Sequence, residues 1–241
     1  GFPQLTSQFR QDGHWNDMET ALEAIELDYE TLESDSLYNS FDSLTIIVHS
    51  DDELSIEEKF SGNIIISSNR SVYISADARL RNVLVASPHI EIASGFAGTA
   101  QFIAADSIIV GENCMFQYPS SLVIHSKNSA STEGIVIGSN SELYGSVILY
   151  RSFYDRRNRS VLAIEKDAKI TGQVYCNDAV DLKGTINGNL ICSRFLLQTQ
   201  SSVYENHLMD ATIDLSALSN DFVGNSFFSE SGNKKIIQWL H

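Results

Sequence analysis

The chain has 241 residues, 31 acidic and 16 basic, and its hydrophobic share of 43% is ordinary for a folded protein. A formal net charge of -15 argues against nucleic acid and against an anionic membrane surface as partners, because both are held by clustered Lys and Arg. Cys114, Cys176 and Cys192 are too few for a disulfide framework and lack CxxC spacing.

The acidity is concentrated at the start. Residues 1–60 hold 15 acidic and 2 basic residues, whereas the other 181 hold 16 and 14. Residues 1–15 have no period and read as an irregular lead-in. From Asn16, the residues Met18, Leu22, Ile25, Tyr29 and Leu32 recur at steps of four and three, which predicts an amphipathic helix. Asn16 or Asp17 would cap it, and Asp17 and Glu19 suit its first turn. Residues 1–40 are therefore expected to form an acidic lead-in whose helix covers the body or serves as a stalk.

From residue 44 short β-type runs follow in quick succession, at 44–48, 64–67, 72–74, 83–85, 90–92, 102–104, 108–110, 122–125, 135–137 and 147–149. Several end in a small-polar turn. Many short strands at regular spacing suggest a barrel, a sandwich or a solenoid, and self-similarity selects the solenoid. Ile170-Thr171-Gly172-Gln173-Val174-Tyr175-Cys176 recurs as Ile186-Asn187-Gly188-Asn189-Leu190-Ile191-Cys192, an offset of 16. A third copy, Leu143-Tyr144-Gly145-Ser146-Val147-Ile148-Leu149, precedes the first at an offset of 27, from Leu143 to Ile170. The two offsets differ by 11, the length of the segment 150–160, which reads as a corner insertion that leaves the stack. A repeat this short cannot enclose a core alone, so its copies must stack. The expected fold is an all-β, right-handed, single-stranded parallel β-helix over 41–215, followed by an irregular C-terminal cap at 216–241.

Residues 135–192, with Gly-Ile-Val-Ile-Gly-Ser, Ile-Thr-Gly-Gln-Val and Ile-Asn-Gly-Asn-Leu, resemble the bactofilins, the polymer-forming cytoskeletal proteins of bacteria. The resemblance implies right-handed coils that assemble end to end without nucleotide. The long acidic start, the insertion and the irregular end depart from that family, and capped ends would block head-to-head growth. Ile109-Val110-Gly111-Glu112-Asn113 and Ile137-Gly138-Ser139-Asn140 resemble the left-handed hexapeptide-repeat acyltransferases. Those need sustained hexads, three to a coil, and an offset of 16 does not divide by six, which ranks them below.

Cys176 and Cys192 hold equivalent places in neighbouring copies, so their backbones are expected about 4.8 Å apart. That spacing suits either a stacked pair of reduced thiols or a disulfide, and the torsion a disulfide needs favours the thiols. Cys114 is expected to be a buried thiol. The insertion carries Tyr150, Arg151, Phe153, Tyr154, Arg156, Arg157 and Arg159, four of the nine arginines. It reads as a solvated corner loop or as a recognition loop for an anionic partner, either an acidic glycan or the acidic segment 1–60 of another copy. Asp51-Asp52-Glu53 and Glu57-Glu58 read as solvated acidic loops rather than a Ca²⁺ site.

No HxH, HExxH, GxSxG, P-loop or dinucleotide motif occurs, so no catalytic set, metal or cofactor is expected. The acidic residues within strands, Glu91, Glu142, Glu165 and Asp181, form no Asp-x-Asp group. The expected function is a non-enzymatic scaffold or assembly module of the bacterial cell envelope or cytoskeleton, with self-association or an envelope partner. The alternative is a carbohydrate-active β-helix that binds or cleaves acidic polysaccharide, and the acyltransferase comes third. No run approaches the length of a membrane span, so any membrane anchor is expected upstream of Gly1. Ser- and Asn-rich turns, acidity and a start without Met favour an extracytoplasmic place, with the cytoplasm as the alternative.

Overall fold

The computed structural model describes residues 24–32, 34–126, 134–152, 160–199, 201–219 and 222–223. Its described strands form an all-β solenoid of about eight coils. Each coil contributes to three ladders of parallel pairing. The first ladder contains Ser36–Asn39, Lys59–Gly62 and the starts of the long strands Arg79–Ile92, Ala97–Val110, Met115–Ser126, Glu142–Arg151, Lys169–Leu182 and Thr185–Gln198. The second contains Ala24–Asp28, Thr45–Ser50, Ile64–Ser68 and the middle of those long strands. The third contains Leu54–Ile56, Ser71–Ile74, Ile135–Ile137, Val161–Ile164 and the ends of several long strands. The exception to parallel pairing is a short hairpin at the far end, where Leu196, Leu197 and Gln198 pair antiparallel with Glu205, Tyr204 and Val203.

Partners in successive regular coils stand 18 positions apart. Ile46 pairs with Ile64, Leu54 with Val72, Ser71 with His89, Ala97 with Met115 and Val161 with Ala179. Three ladders share each coil, so inward residues recur every six positions. Val48, Leu54, Phe60, Ile66, Val72 and Ala78 form one such line, and Ile90, Phe96, Phe102, Ile108 and Cys114 another, each residue at most 4% exposed. Phe96, Phe102 and Phe116 meet at centroid distances of 5.6–6.2 Å in edge or tilted contacts, which suit the quadrupoles of aromatic rings.

The repeat found in the sequence is in register throughout: Leu143 pairs with Ile170 and Ile170 with Ile186, through to Leu149 with Cys176 and Cys176 with Cys192. Its offset of 16 is shorter than the 18 of those pairs. Ile164 still pairs with Leu182, 18 on, but Lys169 pairs with Thr185, 16 on. The two positions are lost at the corner after Leu182. After Ile92, Val110, Ile137 and Ile164 that corner is a four-residue turn whose third residue takes a left-handed backbone, Gly95, Asn113, Asn140 and Asp167 having φ of +84°, +57°, +58° and +60°, whereas after Ile56 only Glu57 and Glu58 precede Lys59, as short a corner as the one after Leu182. Asn and Asp tolerate this conformation because their short side chains bond locally. The argument from the 16-position offset against hexapeptide coils therefore fails.

The start of the chain also departs from expectation. Ala24–Asp28 is a strand, and Tyr29–Thr31 is a 3₁₀ turn capped by Asp28. The helical stripe therefore fails over Ile25, Tyr29 and Leu32, while Met18 and Leu22 lie outside the described residues. Ile25 and Leu27 alternate as well as Ile25 and Tyr29 repeat, and they sit over Ile46 and Val48. A strand satisfies the open backbone edge of Thr45–Ser50, which a helix cannot do. Among the described residues the stack already includes Ala24–Asp28. Tyr29 packs on the core, and its hydroxyl lies within hydrogen-bond reach of two acceptors, Ser55 O (2.8 Å) and the Glu58 carboxylate (2.9 Å).

The central glycine of each repeat copy has a steric reason. Gly145, Gly172 and Gly188 have φ of +148° to +152°, and a Cβ on each would lie 1.8–1.9 Å from a carbonyl oxygen of the preceding coil.

Candidate functional site

The features that interrupt the stack collect at one corner, between the second and third ladders. Residues 127–133 and, one coil later, 153–159 fall at this corner and lie outside the described residues. Around the second interruption the offset between paired residues is 27 (Glu142 to Lys169), against 18 for the next pairing (Val161 to Ala179). The insertion thus lengthens the regular coil by nine positions rather than eleven. Phe153, Tyr154, Arg156, Arg157 and Arg159 lie outside the described residues.

The base of this insertion is a buried polar cluster supplied by the next coil. The Asn177 side chain accepts from Arg151 N (2.9 Å) and donates to Arg151 O (2.8 Å). Asp178 Oδ2 accepts from Ser160 N (3.0 Å) and faces Arg151 Nη1 at 3.5 Å, and its Oδ1 accepts from Arg194 Nη2. Adjacent residues Asn177 and Asp178 thus hold both ends of the loop. The Arg151 and Asp178 side chains are 4% and 3% exposed. Arg151 therefore roots the loop from inside and is not a surface contact for a partner. Tyr150 is half-buried, with its ring 5.5 Å from that of His125.

Three histidines line the same corner. His49 Nδ1 is 2.9 Å from Ser67 Oγ, and its Nε2 is 3.5 Å from Asp51 Oδ1. His89 repeats this with Ser107 Oγ at 3.0 Å and Asp106 Oδ2 at 3.8 Å. Ser, His and Asp together invite an acyl-transfer reading, but the chemistry is not assembled. The serines are rungs of a parallel ladder, paired across one coil with the histidines they touch. Each pair is a stacking contact between partners one regular coil apart. That signal stood in the sequence as His49/Ser67 and His89/Ser107, but it means nothing until the coil length is known.

No family model, curated protein or solved structure matches the chain.

Cys176 and Cys192 are cross-strand partners and stand as separate thiols. Burial pushes the Cys176 thiol up to about 12, and its Sγ donates to Ala179 O at 3.4 Å. Cys192 is also raised by burial. Cys114 occupies the inward corner place held elsewhere by Ala78, Phe96, Ser141 and Ala168, and burial raises it too. Asp51 accepts from Asn69 Nδ2 (2.6 Å), Asp52 faces Arg70 Nε (3.4 Å), and Glu58 accepts from Tyr29. Among the described residues no three His, Cys, Asp or Glu are grouped to hold a metal ion, and no helix is long and apolar enough to cross a membrane.

Proposed function

We propose that the protein is a non-enzymatic β-solenoid scaffold or assembly module of the bacterial envelope or cytoskeleton, with right-handed coils and recognition at the corner between the second and third ladders. The observation that carries this reading is the Asn177–Asp178 clamp on the insertion. Burying two guanidiniums and a carboxylate is costly, and here the buried charges hold a loop in place rather than serve a reacting centre. The loop's Arg and Tyr content suits an anionic surface, either an acidic glycan or the acidic start of another copy.

The carbohydrate-cleaving reading finds less support. Glu91 and Asp181 share one outer column four coils apart, about 19 Å at the spacing of paired strands. Paired carboxylates in glycoside hydrolysis stand within about 10 Å. Asp181 and Glu165 are both engaged by Lys183 Nζ, at 3.1 and 3.4 Å. The acyltransferase reading gains from the coil of three hexads and its six-position core lines, and requires left-handed coils and a trimer.

Sedimentation of the full chain over a concentration and salt series tests the proposal, beside a variant in which a short Gly-Ser link replaces residues 153–159. Salt-sensitive self-association, or salt-sensitive binding to an acidic glycan, that is lost with the loop supports it. A fixed trimer with acyl-transfer turnover, or cleavage of acidic polysaccharide, overturns it.

A further inference from the structure

The outer face of the first ladder carries a patch whose charge is opposite to the net charge of the chain. Phe60 and Leu80 point into the core, so alternation turns Lys59 and Ser61, and Arg79 and Arg81, outward. Tyr38 joins them, since Leu37 before it packs on the core. Lys59 pairs with Arg79, and Tyr38 stands over Ser61, which in turn pairs with Arg81. Two coil steps, about 10 Å, separate Tyr38 from Arg81, and Arg79 and Arg81 stand about 7 Å apart along one strand. The three cations are exposed, and Tyr38 is 74% exposed. Across the five strands that begin at Ser36, Lys59, Arg79, Ala97 and Met115, no outward position of this ladder is Asp or Glu.

Elsewhere Arg70, Arg151, Lys183 and Arg194 each face a carboxylate. Among the described residues Lys59, Arg79 and Arg81 form no ion pair. Asp35, Glu57 and Asp77 lie on the corner before these strands rather than on the sheet face, and none of them pairs with the three cations. Arg79 is held in place by backbone instead. Its Nη1 lies 2.9–3.0 Å from the carbonyl oxygens of Ala76, Asp77 and Ala78. That leaves Nε and Nη2, the side of the guanidinium that grips a carboxylate with two parallel bonds. A fork fixed in this way loses little freedom on binding.

We propose that this patch binds an acidic polysaccharide, whose uronic acid carboxylates meet Lys59, Arg79 and Arg81 and whose ring faces rest on Tyr38. The face suits a polysaccharide better than an acidic segment of protein. Backbone N–H and C=O groups of a sheet lie in its plane and serve the ladder, so a sheet face offers a peptide no main-chain hydrogen bonds. A glycan needs none, because side chains meet both its carboxylates and its rings. The first ladder is the side of each coil that does not meet the corner carrying the insertion, so this site stands apart from the loop and does not rest on its role.

Native electrophoresis of the full chain through gels containing polygalacturonate, with neutral dextran as the control, tests it, mobility across polysaccharide concentrations giving Kd. Retardation by polygalacturonate alone, fading with salt, is expected. Arg79→Gln with Arg81→Gln should raise Kd about tenfold or more. Tyr38→Ala should raise Kd while leaving its salt dependence unchanged, since ring stacking has no ionic part. These side chains are exposed, so far-ultraviolet circular dichroism should be kept. Lys59→Gln, a change at a side chain with no hydrogen bond of its own, decides the matter if the double variant fails to fold. The variant with a Gly-Ser link in place of 153–159 should still be retarded. A chain that polygalacturonate does not retard, equal retardation in dextran, or arginine variants that bind as the parent does overturns the proposal. Retardation lost with the loop overturns it by assigning the glycan to the insertion. Salt-sensitive self-association that the arginine variants abolish, without retardation by polygalacturonate, overturns it in favour of a second copy.

Discussion

Replacing Gly172 with Ala tests the physical basis of the repeat motif. Gly172 has φ +148°, and an added Cβ would stand 1.9 Å from Gly145 O, far inside the 3.4–4 Å of ordinary van der Waals contact. The obstructing atom is backbone in a paired strand, and coils cannot separate without breaking their ladder bonds. Two costs follow: about 1–3 kcal/mol for a non-glycine residue in this backbone region, and about 1–3 kcal/mol for overpacking against a rigid neighbour. Gly95 separates them. It too has positive φ, +84°, but a Cβ there meets nothing within 4 Å, so Gly95→Ala carries only the first. Urea unfolding followed by circular dichroism should show Gly172→Ala less stable than Gly95→Ala by about 1–3 kcal/mol. Equal losses would refute the claim that coil-to-coil approach is what demands glycine at the centre of Ile-Thr-Gly-Gln-Val.

Removing the carboxylate that clamps the insertion, Asp178→Ala, leaves Arg151 and Arg194 without their shared anion. It should cost about 3–5 kcal/mol by the same unfolding assay, and a loss below about 1 kcal/mol would mean the cluster is not the anchor. Alkali should destabilise the protein through Cys176. Its thiol ordinarily titrates near 9 and is pushed to about 12 in the folded chain, so the contribution is fully present below pH 9. It is lost as pH rises from 9 through 12, because only the unfolded chain ionises there, at about 1.4 kcal/mol per pH unit. Cys176→Ala should flatten that part of the pH–stability curve, and native Cys176 should resist alkylation at pH 8 until urea is added.

Much of the fold was legible because parallel stacking repeats its demands. Gly145, Gly172 and Gly188 recur since each coil must let the next one approach, and the apolar alternation around them marks one face as buried. The coil length was misread because the clearest pair of copies, 170–176 and 186–192, flanks a corner two positions shorter than the four-residue turns after Ile92, Val110, Ile137 and Ile164. The start was misread because Ile25, Leu27, Tyr29 and Leu32 fit a helical stripe and a strand alike. The choice fell to the unpaired edge of Thr45–Ser50, a partner that local sequence does not reveal. The Arg-rich insertion was found, whereas the role of its first arginine was not.

Arg151 shows where the boundary lies. Composition and periodicity alone determined that this chain is a β-solenoid with an acidic start and an interrupted corner, because the hydrophobic period and the small turn residues are local properties. That Arg151 is buried against Asp178 and that His49 and His89 rest on serines one coil away were decided by stacking. Those contacts join residues one coil or more apart in sequence, and their partners exist only once the length of each coil has been set.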